Sequence, residues 1–579
     1  MPTRRHVLAL GAAGAAAAVL PPPLAAHARA PGAPHAWPPA PEGRRRDDLT
    51  VDDLTVDDLA CAERVIGLAF RPEQREMMLP DVQGRLASYE AIRENEPPNA
   101  AEPVLTMDLP EPPGFAGGMR VRIPTRVSHT PAETDLAFAS IPELAALLRA
   151  RRVSSVELTR MALARLKRFD PQLKTTVSLL EERAMETARA RDADLARGVD
   201  LGPLHGIPYG AKDLLSARGA PTTWGATPYQ DQVIDEDAAA VELLEASGAV
   251  LVAKLTLGAL AWGDVWFGGR TNNPWNTEQG SSGSSAGPGA AVAAGLVPFA
   301  IGSETYGSIV SPSTRNGVTG HRPTFGRVST RGAMALAWSL DKLGPMARSA
   351  EDCALVFDAI RDVGTARGDA GFPYDGASGA RSRRVGYVPA HFEGDGAAAD
   401  RETLDVLRRL GAELVEVALP DGPEVGACMD LTVTVEAATA FDGLTRSGGV
   451  DALVRQERFA WPNTFRHGRL VPAVEYLNAQ RIRRRLQAET EAALAGVDAL
   501  VAPSFAGSQL ALTNLTGHPA VCVPNGLAPL ADAEPGDPRR TPRSVTFVGA
   551  LHADHAPLEI AAAVQAATDW HRQRPPVGA

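Results

Sequence analysis

Cysteine is scarce in this chain of 579 residues. Cys61, Cys353, Cys428 and Cys522 lie far apart and form no Cys-x-x-Cys pair, so they read as free, mainly buried thiols with no assignable bridge. Positive charge is not in excess. Lys and Arg number 58 against 69 Asp and Glu, and the net charge of −11 argues against unaided binding to nucleic acid. Metal-ligand clusters are missing too: His552 and His555 are too sparse for a zinc site and read as surface histidines. The apolar run from Val7 to Leu20 is too short to span a bilayer comfortably. The remainder, 44% hydrophobic and 22% charged, suits a soluble globular protein long enough for a large core and several domains.

Glycine and serine, by contrast, are concentrated in one place. Residues 279–320 read QGSSGSSAGPGAAVAAGLVPFAIGSETYGSIVSPSTRNGVTG. A small-residue run at Ala290–Ala294 and an apolar run at Leu296–Ile301 separate two polar loops, a pattern of loop, short helix, buried strand and loop. Most Ser/Gly-rich segments are flexible linkers. A linker is not normally followed at once by a core-like helix and strand, so composition alone leaves a structural loop and a catalytic loop both open. A second unusual segment, GPLHGIPYGAKD, runs from Gly202 to Asp213. It places Lys212 in a strand-like run of Gly, Pro and Ala, whereas lysine ordinarily occupies a solvated face.

Around these segments helix and strand alternate, the mark of an α/β fold. Ser154 and Glu157 have the spacing of a capping box. Val177–Arg197 reads as one long helix, Asp237–Gly248 as another and Val250–Lys254 as a buried strand. Strand, helix and strand recur at Val385–Val388, Thr403–Leu410 and Leu414–Val417. Upstream, 47–136 is a helical extension, expected to pack on the catalytic part or to mediate association. Thr55 caps a helix in it whose first turn carries Asp57 and Asp58. The Pro/Ala-rich segment 31–46 is expected to be a disordered linker. Residues 1–30 resemble a twin-arginine signal, with Arg4-Arg5, the apolar run and a small-residue cleavage site ending at Ala28 or Ala30. Export to the periplasm or beyond is the expectation, without stable membrane insertion after cleavage.

The Gly-Ser stretch resembles the hallmark of the amidase signature family, serine hydrolases that use a Ser–Ser–Lys triad. Ser284 and Ser308 stand 24 residues apart, as the family's two key serines do. Thr271–Asn276 (TNNPWN), Gly317–Ser329 (GVTGHRPTFGRVS), Ser339–Ala347 (SLDKLGPMA) and the Gly-Ile-Pro-x-x-x-Lys-Asp run ending at Asp213 resemble the family as well. The resemblance covers roughly residues 137–575, the expected catalytic domain. Its signature core is 202–350 and its more variable part about 384–500. It implies a central mixed β-sheet flanked by helices, with Lys212 as base, Ser284 as proton bridge after a cis peptide from Gly283, and Ser308 as nucleophile. No metal or organic cofactor is implied. The backbone N–H groups of Thr305, Tyr306, Gly307 and Ser308 are the implied oxyanion hole, aided by the dipole of a helix beginning near Ile309.

The chemistry agrees with these roles. A serine hydroxyl is a poor nucleophile until a base takes its proton. Lysine is such a base only when neutral, and burial lowers its pKa by several units; Lys212 lies in a low-charge run, although Asp213 is adjacent. Tyr306 stands where most members have glycine. Val310 stands where many glutaminase-type members carry an arginine for a substrate carboxylate. These two are the candidate substrate-binding residues, and Val310 predicts a rather apolar acyl pocket. Ser303-Glu304 replaces the commoner Thr-Asp, and His321-Arg322 the commoner Leu-Lys. Phe441, Trp461 and Phe465 are aromatic candidates for the pocket, though such residues sit more often in cores. The implied activity is hydrolysis of a small-molecule carboxamide to a carboxylate and an amine or ammonia. Two alternatives stand beside it. One is the A-type component of a tRNA-dependent amidotransferase, which the export signal and Val310 count against. The other is a non-catalytic binding protein on the same fold, which the intact Lys212, Ser284 and Ser308 count against. Assembly into a homo-oligomer is left open.

Overall fold

The computed structural model describes residues 54–95, 118–124, 131–361, 371–394, 397–530, 533–534 and 536–578. The expected signal and linker lie outside them. One mixed sheet of eleven strands forms the centre. Its strands are β1 (Thr176–Leu179), β2 (Pro208–Lys212), β3 (Val250–Leu255), β4 (Phe299–Glu304), β5 (Thr319–Arg322) and β6 (Lys342–Ala347). They continue with β7 (Arg384–Tyr387), β8 (Glu413–Glu416), β9 (Ala499–Pro503), β10 (Ala520–Pro529) and β11 (Arg540–Val548). The spatial order is β1-β3-β2-β4-β6-β5-β10-β11-β9-β7-β8. β2 runs parallel to both β3 and β4, and β7 parallel to both β8 and β9. The other neighbours are antiparallel. β2, β3, β4 and β6 are buried at every position, as strands covered by helices on both faces must be.

Local signals set several boundaries. Ser154 accepts the N–H of Glu157 at 3.1 Å while Glu157 accepts the N–H of Ser154 at 2.8 Å. This is the expected capping box, which contributes about 1 kcal/mol. Thr55 and Asp58 form another at the start of α1 (Val56–Ile66). The single helix expected over Val177–Arg197 is instead a strand and a helix. β1 pairs antiparallel with β3, and the helix begins only at Glu181. Pairing along the sheet edge wins over helical continuation there, and Leu180, at φ −102 and ψ 53, separates the two elements.

The Gly-Ser stretch folds as loop, helix, strand and loop. Helix α3 (Ala286–Ala293) leads into β4, and α4 (Val310–Asn316) follows the second loop. All eight residues of α3 are buried. A Cβ on Gly287 would meet the Thr256 nitrogen at 2.5 Å and the Thr175 oxygen at 2.6 Å, so only glycine lets this backbone approach so closely.

The longer described helix of the expected extension packs on other helices of the chain. Helix α2 (Pro72–Glu94) lies against α5 (Pro423–Ala440), α6 (Trp461–Gly468) and α7 (Ala473–Leu494). Met78, Tyr89 and Ile92 are buried. Arg85 reaches Asp430 at 2.8 Å and Thr434 at 2.9 Å, and Asp81 accepts from Arg458 at 3.0 Å and from Asn463 at 2.8 Å.

Two smaller expectations change. All four cysteines are free, but Cys61 is exposed rather than buried, because it falls on the outer face of α1. His552 is not a surface residue: it is buried, its N–H donates to Thr324 at 3.0 Å and its carbonyl accepts from Arg327 at 3.1 Å. His555 is half-buried. Among the described residues, no helix is long and apolar enough to cross a membrane.

Candidate active site

Lys212 ends β2, and the parallel register with β4 brings Ser303 beside it. Its Nζ lies 2.8 Å from Ser284 Oγ, 2.8 Å from Ser303 Oγ, 3.0 Å from Ser285 Oγ and 3.4 Å from the Ser303 carbonyl. Among the described residues, no carboxylate bonds to it. The side chain is wholly buried, and burial drives its pKa well below the ordinary lysine value against the upward pull of Asp341 and Glu304. Asp213 does not hold it charged, because Asp213 pairs with Lys254 at 2.6 Å.

The hydrogen-bond directions follow from this. The Ser285 hydroxyl donates to the Ser303 carbonyl at 3.1 Å and accepts the Ser303 N–H at 3.1 Å, so towards Lys212 it acts as an acceptor. A neutral amine has two N–H groups and one lone pair. When Lys212 is neutral, with Ser285 and Ser303 accepting its two N–H groups, its lone pair faces Ser284 Oγ at 2.8 Å, and the Ser284 O–H then donates towards Lys212.

The peptide bond between Gly283 and Ser284 is cis. A Cβ on Gly283 would lie 1.8 Å from the Gly263 carbonyl oxygen, so no other residue fits there. Ser285 N–H donates to the Ser308 carbonyl at 3.2 Å, tying the first loop to the second. The Ser308 hydroxyl opens on a cavity of about 540 Å³, whose wall includes Thr305, Tyr306 and Gly307. Among the described residues it makes no hydrogen bond to Ser284 or Lys212.

Glu304, at the end of β4, pins the turn. Its carboxylate accepts the N–H of Ile309 at 2.7 Å and of Val310 at 2.9 Å, Arg322 at 2.8 Å and Asn514 at 2.9 Å. Burial pushes its pKa up, but the Arg322 guanidinium and these donors outweigh that and hold it below the usual value. This corrects the expected helix contribution to the oxyanion hole, because the first N–H groups of α4 are already capped by a carboxylate. It also accounts for Arg322, which pairs with Glu304 and donates to Thr513 and the His518 carbonyl.

Val310 does not line the cavity. It is wholly buried at the start of α4, with its carbonyl accepting from Thr314 at 2.9 Å. The basis for an apolar acyl pocket falls with it. Ser311 and Arg315 face the cavity instead, one helical turn apart. Tyr306, half exposed, is on the wall as expected, with Trp262, Trp461 and Phe505. Phe441 and Phe465 stack in the core. Sequence reasoning missed Ser285, Ser303 and Arg315. The i, i+4 spacing of Ser311 and Arg315 was the available signal for the last.

Comparison with known proteins gives this geometry a context. The profile of the family described as Amidase matches residues 157–533. The chain belongs to the amidase signature family. The A-type component of glutamyl-tRNA(Gln) amidotransferase from Methylococcus capsulatus is 34% identical over 494 residues, covering 75% of this chain and 98% of that protein. Its counterpart from Ralstonia nicotianae is 34% identical over 511 residues, covering 76% and 100%. Among solved structures, the native peptide amidase of Stenotrophomonas maltophilia is 28% identical with a TM-score of 0.66, covering 76% of this chain and 99% of that one. The mixed sheet with its flanking helices is thus the amidase signature fold, and the chemistry of the family acts on carbon–nitrogen bonds.

Proposed function

We propose that this amidase signature protein hydrolyses a small-molecule carboxamide to a carboxylate and an amine or ammonia, through an acyl-enzyme on Ser308. One observation carries the proposal: a buried lysine with no carboxylate bonded to it among the described residues, joined to Ser284, whose neighbour Ser285 is tied to Ser308 through its backbone N–H. Ser308 Oγ attacks the amide carbonyl as its proton passes to Ser284, whose own proton moves to the Lys212 lone pair. The oxygen of the tetrahedral intermediate takes hydrogen bonds from the turn N–H groups of Thr305–Ser308. Collapse breaks the C–N bond as the relay returns a proton to the leaving amine. Water then repeats the sequence on the ester, restoring Ser308 and releasing the acid.

A second reading is supported by the names of the relatives, which are A-type components of an amidotransferase. Here the amide would be cleaved for transfer within a complex. The twin-arginine-type N-terminus favours the first reading, with hydrolysis outside the cytoplasm. The test is intact-mass analysis after a fluorophosphonate, on the native chain and Ser308→Ala in parallel. One adduct, lost in the variant, is expected. A folded native chain that takes no adduct would refute the hydrolase reading, and a partner protein recovered with the chain would favour the second.

A further inference from the structure

The cavity beside Ser308 carries two charges, Asp264 and Arg315. Asp264 is engaged, since its Oδ2 accepts the Ser282 N–H at 3.0 Å within the Gly-Ser loop. Arg315 is not. It is exposed to the cavity in the last turn of α4, and among the described residues its guanidinium makes no ion pair or hydrogen bond. Arg322, in the next strand, is by contrast wholly buried and bonded to three groups.

The placement of Arg315 follows from helix geometry. Ser311 and Arg315 are four residues apart and share the cavity face, while Val310 is turned into the core. Arg315 stands five residues into α4, about 7.5 Å of helical rise beyond Val310, which follows Ser308 by two residues. A substrate with its amide at Ser308 therefore presents its remote end to this guanidinium. The planar fork binds carboxylates through two parallel hydrogen bonds.

We infer that the substrate carries a carboxylate remote from the scissile amide, held by Arg315; this rests on the acyl-transfer reading of Ser308. A solvated arginine that merely complements the C-terminal end of α4 would show no such preference.

The test uses two fluorophosphonates of equal length, one ending in a carboxylate and the other in a primary carboxamide. The rate constants for labelling Ser308 are measured on the native chain, Arg315→Ala and Arg315→Lys. The carboxylate probe is expected to label the native chain about 10- to 100-fold faster than its neutral partner. The ratio should fall to near one in Arg315→Ala, be partly kept in Arg315→Lys, and shrink with added salt. Equal labelling by the two probes, or a preference unchanged in Arg315→Ala, would overturn the inference. If neither probe labels a folded chain, the hydrolase reading fails by itself. The preference is then read from equilibrium binding of adipic acid monoamide to native and Arg315→Ala protein, and equal binding would reject it.

Discussion

Replacing Glu304 by glutamine removes one charge and almost no volume, yet it should be costly. The carboxylate serves four donors, two backbone N–H groups and the side chains of Arg322 and Asn514. A carboxamide offers one acceptor oxygen and turns an NH2 towards groups that are themselves donors. Arg322, with no exposed surface, would keep Thr513 and the His518 carbonyl but lose the counter-charge it pairs with. Breaking a buried pair from one side costs about 3–5 kcal/mol. Glu304→Gln should therefore lower the free energy of the first cooperative urea transition by about that amount, and should slow fluorophosphonate labelling because the turn before Ile309 loses its anchors. Arg322→Met in the same background should recover part of the loss, since removing both charges leaves neither unpaired. The pH dependence has a definite sign. The Glu304 pKa is lowered on folding, so its stabilisation is present above the unfolded value and fades as pH falls through the folded one; native and variant proteins should converge in acid. A loss below about 1 kcal/mol with native labelling kinetics would refute the claim that this carboxylate fixes the nucleophile turn.

Lys212→Met should cut labelling of Ser308 by about 10²- to 10⁴-fold while leaving the thermal unfolding midpoint at or above that of the native chain, because a buried amine is replaced by an apolar group. A marked fall in the midpoint would mean the lysine is a structural tie rather than a base. Because the folded pKa of Lys212 lies below its ordinary value, the unfolded chain binds a proton that the folded chain lacks between the two values. Its contribution to stability therefore rises with pH through that window. The labelling rate should fall on the acid side as Lys212 protonates. A pH–rate profile of the native chain with no acid limb from this group would contradict the assignment. Arg85→Ala should loosen α2 by about 1–3 kcal/mol, read as faster trypsin cleavage within residues 54–95. Unchanged cleavage would mean that the apolar contacts of Met78, Tyr89 and Ile92 hold the extension without the arginine.

Short-range signals were the legible part of the chain. Capping pairs such as Ser154 with Glu157, the buried strand around Val250, and the 24-residue spacing of Ser284 and Ser308 all depend on neighbours in sequence, and their geometry follows. What stayed hidden depends on partners far away in sequence. β1 exists because β3 offers it an edge, and Arg322 is buried because Glu304, Thr513 and His518 converge on it. Val310 misled for a related reason. Its place in the motif was clear, but the face it presents depends on where α4 begins, and Glu304 sets that beginning from the end of the preceding strand.

The close seating of α3, with Gly287 against the ends of neighbouring segments, has a consequence for engineering. Along the segments beneath the site, a methyl group added at Gly287 of α3 meets backbone, and one added at Gly210 of β2 or Gly302 of β4 meets the packed side chains of Leu255, Ser285 and Met346. The rim is assembled from Tyr306, Arg315, Trp461 and Phe505, which come from four separate segments. Redesign of substrate range belongs to the rim, where substitutions can be screened one position at a time on an unaltered catalytic floor.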